Sequence, residues 1–297
     1  MSVVDTPARR EDIRIGEVAA WWYRPSGAAG AGARAGCVVM AHGFSLTRHD
    51  GLPAFAEAFA AAGLHVLLFD HRHLGDSGPP RPRQRFRAAE QRADWANVVA
   101  HARTLEGVDP ARIVLWGYSF SGGHVVRQLI HRADVAAGLV LCPFVDGPQR
   151  VLATPPSLIA WILPRALRDL AGSHNLIPVT GPPGSRAAMT LPGEADGFAA
   201  AVPEGSPWRN EISPGLFVTV GLERPVAQAR HVRAPLWVGV GERDISTHGP
   251  SVERLAKDAP LGELHRYPYD HFEPFLGEAP ARIAADQVEF LQRIGLA

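Results

Sequence analysis

A chain of 297 residues with 46% hydrophobic and 20% charged side chains can form one large domain or two ordinary ones, with a substantial buried core in either case. Its 30 basic and 30 acidic side chains cancel, which removes any global field favouring nucleic acid or an anionic membrane. No apolar run approaches the ~20 residues of a membrane span, and Met1 to Gly16 lacks the apolar centre of a signal peptide.

Cys37 and Cys142 lie in strand-like apolar runs and read as buried free thiols; with neither a signal peptide nor a span evident, a cytoplasmic address is expected. The basic stretch Arg81-Pro82-Arg83-Gln84-Arg85-Phe86-Arg87 reads as a solvated loop rather than a nucleic-acid patch. No short repeat is present, which argues against a solenoid.

In chain order, Ile13-Arg14-Ile15 and Val18 to Tyr23 around Gly16-Glu17 predict an opening β-hairpin. A Gly- and Ala-rich connection, Gly27 to Gly36, follows. Cys37 to Ala41 is a continuous apolar run suited to an interior parallel strand, and it ends in His42-Gly43-Phe44. Leu52 to Ala62 predicts a helix stopped by Gly63 as C′ residue. Leu64 to Phe69 predicts the next strand, ending in Asp70-His71-Arg72. A proline-rich loop, Gly78 to Pro82, leads to a long helix over Phe86 to Leu105.

The centre of the pattern is Ile113-Val114-Leu115-Trp116 followed by Gly117-Tyr118-Ser119-Phe120-Ser121-Gly122-Gly123. It predicts a buried strand turning sharply into a helix that runs to about His131, with a serine at the corner. Val135 to Phe144 predicts another buried strand. The alternation of strands and helices implies a mainly parallel sheet covered on both faces. Residues 147–229 break the rhythm: they hold twelve of the 26 prolines and read as an insertion of short helices and loops. The expected organisation is therefore a core of residues 1–146 and 230–297 with a lid or cap at 147–229. The rhythm returns with a strand over Pro235 to Gly241, a helix from about Pro250 to Lys257, a strand over Glu263 to Tyr267 and a closing helix over Ala279 to Ile294.

A serine hydroxyl is a poor nucleophile unless a base takes its proton and donors receive the developing oxyanion. Gly117-x-Ser119-x-Ser121 carries the small-x-nucleophile-x-small spacing, with Ser121 where the last glycine is expected. Ser119-x-Ser121-x-Gly123 is a shifted copy. Ser119 is preferred because the apolar strand ends immediately before Gly117. The backbone N–H of Phe44, after His42-Gly43, and that of Phe120 are the expected oxyanion donors, with His42, Gly43 and Gly117 supporting them. Asp244 follows the strand that ends at Gly241, and His271 follows the strand that ends at Tyr267. Both therefore fall at the same sheet edge as Ser119. Asp146 is a rival acid, Glu242 flanks the strand end, and His265 reads as a packing or surface residue. Asp70-His71-Arg72-His73 with Asp76 resembles a metal-ligand cluster, but a turn bracing the oxyanion loop is preferred, and no metal is expected. No P-loop and no strand-following Gly-x-Gly-x-x-Gly is present, so no nucleotide or other cofactor is expected.

Taken together, His42-Gly43-Phe44, Asp70-x-Arg72-x-x-Gly75-x-Ser77-Gly78, Gly117 to Gly123, Gly241-Glu242-Arg243-Asp244 and His271 resemble the α/β-hydrolase fold superfamily outside the 147–229 insertion. The order Ser119, Asp244, His271 is that of its triad. His73 stands where relatives carry a glycine after the arginine, and Ser121 departs at the elbow. The resemblance implies a sheet of about eight strands, mostly parallel with an antiparallel start, and a lid inserted after the sixth. The long helix followed by Asp109-Pro110-Ala111-Arg112 is similar to the bacterial branch of dienelactone-hydrolase-like and acyl-peptidase-like enzymes.

The implied activity is hydrolysis of a carboxylic ester or thioester of an apolar or aromatic small molecule through an acyl-serine intermediate. C–C bond hydrolysis, aminopeptidase action and acyl transfer use the same constellation. Epoxide hydrolase and dehalogenase chemistry need a carboxylate at the elbow, where Ser119 stands. A non-catalytic binding protein on the same scaffold is the other class, against which an intact triad argues. The sequence is silent on oligomeric state.

Overall fold

The computed structural model describes residues 9–25, 34–78 and 83–297. The first eight residues, most of the Gly- and Ala-rich connection (26–33) and prolines Pro79, Pro80 and Pro82 with Arg81 lie outside the described residues.

Eight strands form one sheet: β1 (Arg10–Ile15), β2 (Val18–Tyr23), β3 (Ala35–Ala41), β4 (His65–Phe69), β5 (Val108–Tyr118), β6 (Ala137–Leu141), β7 (Leu236–Gly241) and β8 (Gly262–Tyr267). Their spatial order is β1-β2-β4-β3-β5-β6-β7-β8. The opening hairpin is antiparallel to itself and to β4, and every other pairing is parallel. Parallel strands end on one edge, so the segments after β3, β5, β6, β7 and β8 meet there, as expected of the α/β-hydrolase fold.

The apolar runs bury both faces. In β5, Ile113 and Leu115 join a cluster with Trp95, Val98 and Val99 of helix α2 (Ala88–Ala102), while Val114 and Trp116 join one with Phe55 and Phe59 of helix α1 (Pro53–Ala61). Each such side chain contributes about 1.5–3 kcal/mol when taken from water. Helix α3 (Phe120–His131) and helix α7 (Gly249–Asp258) pack on the α2 side, and helix α8 (Ala279–Arg293) beside α1, where Gln287 accepts a hydrogen bond from the Trp116 indole at 3.0 Å. Gly63 ends α1 as expected: it takes φ +90°, and the N–H groups of Gly63 and Leu64 return to Ala60 and Phe59 at 3.1 Å each, a Schellman closure.

Several boundaries differ. The strand expected over Val135 to Phe144 spans only Ala137–Leu141, because Cys142 turns out of it at φ +45°. The helix expected from Phe86 starts at Ala88, after an extended Arg87. The basic stretch is not a solvated loop where it is described: Arg83 donates to the Ser77 carbonyl at 2.7 Å, Arg85 pairs with Glu90, and Arg87 bonds buried Asp169 at 2.6 Å.

Residues 147–229 contain helices α4 (Gly147–Ala153), α5 (Pro156–Leu170) and α6 (Glu194–Ala201) and 3₁₀ turns at Pro214–Val218 and Val220–Leu222, and a third turn, Pro225–His231, runs across the expected boundary at 229. The apolar stretch Leu158 to Leu163 is the body of α5, with Pro164 inside the helix. The segment is tied to the strand-bearing part through Arg87–Asp169, through Ser206, whose hydroxyl donates to Asp50 at 2.6 Å, and through Val226 and Ala229, which join the α2-side core. No helix among the described residues is long and apolar enough to cross a membrane.

At Gly117 the strand and the helix that follows it touch. A Cβ there would lie 2.5 Å from the Ser121 carbonyl oxygen, which is main chain and has nowhere to go. Gly117→Ala is expected to lose about 3 kcal/mol or more of stability, at the upper end of overpacking costs. Chemical denaturation of the purified variant checks this, and an unchanged midpoint would show that the elbow has slack.

Candidate active site

Ser119 stands between β5 and α3 at φ 51°, ψ −115°, a conformation that a residue with a Cβ occupies only under constraint. Three backbone hydrogen bonds supply it: the Ser119 N–H donates to Leu141 C=O at 3.0 Å, and the Ser119 C=O accepts from Phe144 at 2.8 Å and Gly123 at 3.3 Å. Strand β6 and its following turn thus hold the corner open, and the Ser119 side chain stands clear of the sheet edge.

His271 Nε2 lies 3.0 Å from Ser119 Oγ, and His271 Nδ1 lies 2.8 Å from Asp244 Oδ2. With Nδ1–H donating to the carboxylate, Nε2 carries the lone pair that faces the serine hydroxyl. Asp244 is held by its own loop: Oδ1 accepts from the N–H groups of Ser246 (2.8 Å) and Thr247 (3.0 Å), and Oδ2 accepts from Thr247 Oγ1 at 2.7 Å. Burial pushes the Asp244 carboxyl up, but His271 and Thr247 outweigh it, leaving Asp244 below the usual carboxylate range and ionised. Tyr118 OH donates to the His271 C=O at 2.6 Å and its ring lies 5.0 Å from the imidazole, so the last residue of β5 also holds the histidine loop.

The expected residues meet on one edge. Phe44 and Phe120 line the chamber in front of Ser119, and among the described residues the N–H of neither has an acceptor. His42 is fully buried and its Nδ1 lies 2.9 Å from Gly43 C=O. Gly43 passes so close to the elbow that a Cβ there would sit 2.8 Å from the Tyr118 ring and 3.0 Å from Ser119 Cβ. The Asp70 turn braces the same loop: Asp70 accepts from Arg48 N–H at 2.6 Å and pairs with the Arg48 guanidinium.

The rivals are placed elsewhere. Asp146 accepts from Ser251 Oγ at 2.9 Å and pairs with Arg224 at 3.2 Å, away from His271. Glu242 is exposed, and His265 stacks on Trp237 with centroids 4.9 Å apart. His71 faces Ser121 at 3.1 Å, while His73 approaches Glu90 only at 4.0 Å. Among the described residues the one group with metal-ligand proximity is Cys142, Asp244 and His271, whose atoms lie within 4.8 Å of each other, and two of these are already bonded to each other. Burial first, then Asp244, pushes the Cys142 thiol well above its ordinary range, so it is a neutral neighbour of the acid.

Sequence reasoning did not single out Thr247, Tyr118 or Arg150. The run Asp244-Ile245-Ser246-Thr247 does carry a turn signal, since an aspartate accepting from the N–H groups two and three residues on is a recurrent loop device. Arg150 had no such signal. It lines both the chamber at Ser119, about 470 Å³, and a second, about 560 Å³, beneath α4 and α5; the two also share Ala188, Phe217 and Val220. The Arg150 Nη2 lies 3.4 Å from Oε1 of buried Glu194, which accepts from Ser246 Oγ at 2.9 Å.

The family model for serine aminopeptidase S33 matches residues 32–272. The chain belongs to this family of α/β hydrolases. It is 36% identical over 262 residues to the quorum-quenching protein AidA of Acinetobacter baumannii, covering 86% of each chain. It is 35% identical over 118 residues to the thiohydrolase aneE of Aspergillus aculeatus, covering 40% of this chain and 37% of that one. Among solved structures, the α/β hydrolase GrgF from Penicillium sp. sh18 superposes with a TM-score of 0.80 at 21% identity, covering 97% of this chain and 99% of that one. DcsB in complex with its substrate analogue gives 0.78 at 20% identity, covering 98% and 100%. These two likenesses concern the fold.

The histidines around the site make stability depend on pH. Burial first, with nearby His71 adding to it, holds His42 and His124 well below the ordinary histidine range. A depressed histidine pKa means that the unfolded chain takes up protons that the folded one refuses. Stability is therefore full above about pH 6.5, the unfolded value, and falls as the pH drops towards the folded values. Asp50, pushed up to about 6, and Asp70, also raised, act in the opposite sense. Buried His65 and His73 and partly exposed His265 are depressed as well, so the histidines prevail. The Tm is expected to fall between pH 7.5 and 5.5; scanning calorimetry showing it flat or rising would mean that the two carboxyls dominate.

Proposed function

We propose that the chain hydrolyses a carboxylic ester or thioester with an apolar acyl group through an acyl-serine intermediate. The observation that carries this reading is the hydrogen-bonded chain Ser119–His271–Asp244 opening onto an apolar chamber. Ser119 Oγ attacks the acyl carbon as its proton passes to His271 Nε2, and Asp244 stabilises the imidazolium without taking the proton. The oxyanion is received by the Phe44 and Phe120 N–H groups. Collapse breaks the bond to the alkoxide or thiolate, which leaves with the proton from Nε2. Water repeats the sequence on the acyl-serine and frees Ser119 and the carboxylic acid.

The names of the relatives agree with acyl chemistry, since one is a thiohydrolase. Aminopeptidase action, which the family name suggests, fits less well. A free α-ammonium needs a carboxylate partner, whereas the described lining of the Ser119 chamber contains Arg150 and no Asp or Glu.

The two chambers joined at Arg150 suit an acyl chain running from Ser119 beneath α4 and α5. The Arg150 guanidinium has one partner, Glu194, among the described residues, so donors are left over for the substrate. Because Glu194 already neutralises its charge, a neutral oxygen on the chain, such as a keto group, fits better than a second carboxylate.

Two outcomes are expected. A fluorophosphonate probe labels the wild type and Ser121→Ala but not Ser119→Ala, and Ser119→Ala loses on the order of 10⁴-fold or more in ester hydrolysis; labelling of Ser119→Ala would remove the assignment. Between matched oxo-substituted and plain acyl esters, Arg150→Met lowers the kcat/KM ratio by about 10–100-fold, the value of a hydrogen bond from a charged donor; an unmoved ratio in steady-state kinetics would take Arg150 out of substrate recognition.

A further inference from the structure

Behind the elbow lies a second serine–histidine–aspartate set that faces no chamber. Ser121 Oγ is 3.1 Å from His71 Nε2, and His71 Nδ1 is 3.7 Å from Asp94 Oδ2. All three are sealed from solvent, with exposures of 1% for Ser121 and His71 and 0% for Asp94, so the set cannot meet a substrate. Its connections run instead to the two N–H groups assigned above to the oxyanion.

We infer that His71 is a positioning residue: its imidazole holds the Phe120 donor through Ser121, while its main chain steadies the Phe44 donor through His42. This rests on the acyl-serine reading. On the main-chain side, the backbone N–H of His71 donates to His42 Nε2 at 3.2 Å, so His42 carries its proton on Nδ1 and donates it to Gly43 C=O at 2.9 Å. That carbonyl and the Phe44 N–H belong to the same planar peptide and point opposite ways. Fixing the one aims the other. On the other side, Ser121 stands in the first turn of α3, directly after Phe120, and donates its hydroxyl to His71 Nε2. A rotation of that turn, which would swing the Phe120 N–H, has to break this bond.

Asp94 sets the direction of the relay. It is fixed by Arg72, accepting from its N–H at 2.9 Å and its Nε at 2.6 Å, and its charge beside Nδ1 keeps the His71 proton there, leaving Nε2 to accept. Rings of Phe69 and His42, with centroids 5.0 and 5.1 Å away, prevent the imidazole from turning. The second hydroxyl of the elbow is thus a bonded strut rather than a small residue that happens to fit.

The test uses the full-length enzyme with a chromogenic ester and a trifluoromethyl ketone of the same acyl chain, which mimics the tetrahedral oxyanion. Removing an oxyanion donor costs about 10²–10³ in rate, and loosening one is expected to cost about 10-fold. Ser121→Ala and His71→Leu should lower kcat about that much with KM nearly constant. They should weaken the ketone by the same factor while leaving inhibition by the product acid unchanged. Ser121→Cys, a weak donor of similar size, and His71→Gln, whose amide reaches the Nε2 position, should recover much of the loss.

Unchanged kcat in Ser121→Ala would overturn the inference, as would a loss of kcat without weaker ketone binding, because a general loosening of the fold does not single out the oxyanion. If the wild type itself fails to react with fluorophosphonate at Ser119, the acyl-serine reading falls; if it reacts and Ser121→Ala matches it in kcat and ketone affinity, only the strut falls.

Discussion

The left-handed backbone at Ser119 is the constraint on which the rest depends. Holding a serine at φ 51° costs on the order of 1–3 kcal/mol, which the surrounding structure must supply. It does so with hydrogen bonds from β6 and its turn, and with a glycine at 117 that lets α3 begin in contact with the strand it leaves. The same hydrogen bonds that enforce the strain also couple β5, β6 and α3, so the corner is rigid where a nucleophile needs it to be.

Around that corner the polar groups are arranged so that each has a defined protonation state. Asp244 stays ionised because four hydrogen bonds offset its burial. His42 stays neutral because its burial outweighs Asp70, whose carboxylate lies 4.0 Å away and is taken by Arg48, and only a neutral imidazole can accept from the His71 backbone N–H on one side while donating to Gly43 on the other. The carboxyl and the imidazole are both deep in the protein, but the differing partners drive their charges in opposite directions. Apolar packing on both faces of the sheet supplies the stability that makes such buried polarity tolerable.

The segment between β6 and β7 contributes differently. It brings Arg150, Met189 and Phe217 over Ser119, and it is fastened by charged and polar contacts, Arg87 to Asp169 and Ser206 to Asp50, rather than by sheet pairing. Glu194 links it to the loop of the acid through Ser246, which itself donates its N–H to Asp244. The lining of the chamber and the Asp244–His271 pair are therefore joined by polar contacts although they come from different parts of the chain.

The sequence by itself determined the sheet, the elbow and the candidate trio, because those are local matters. An apolar run long enough to be buried on both faces marks a parallel strand, parallel strands end on one edge, and the residue after each end is placed there whatever the loops do; Ser119, Asp244 and His271 were legible for that reason, as was the glycine that closes α1. What the tertiary structure alone decided is which polar atoms face each other. Nothing local distinguishes Asp146 from Asp244 as acid, since both follow strands; the choice is made by where His271 arrives from 27 residues beyond Asp244. The partner of Ser121 lies 50 residues away, and Asp169, which claims Arg87, lies 82 residues from it. The proline-rich segment hid the extent of helix α5: prolines at its start and at 164 read locally as breaks, whereas its buried Leu158, Ile162 and Ala166 pack on the Pro214–Val218 turn, which only the tertiary structure brings beside it.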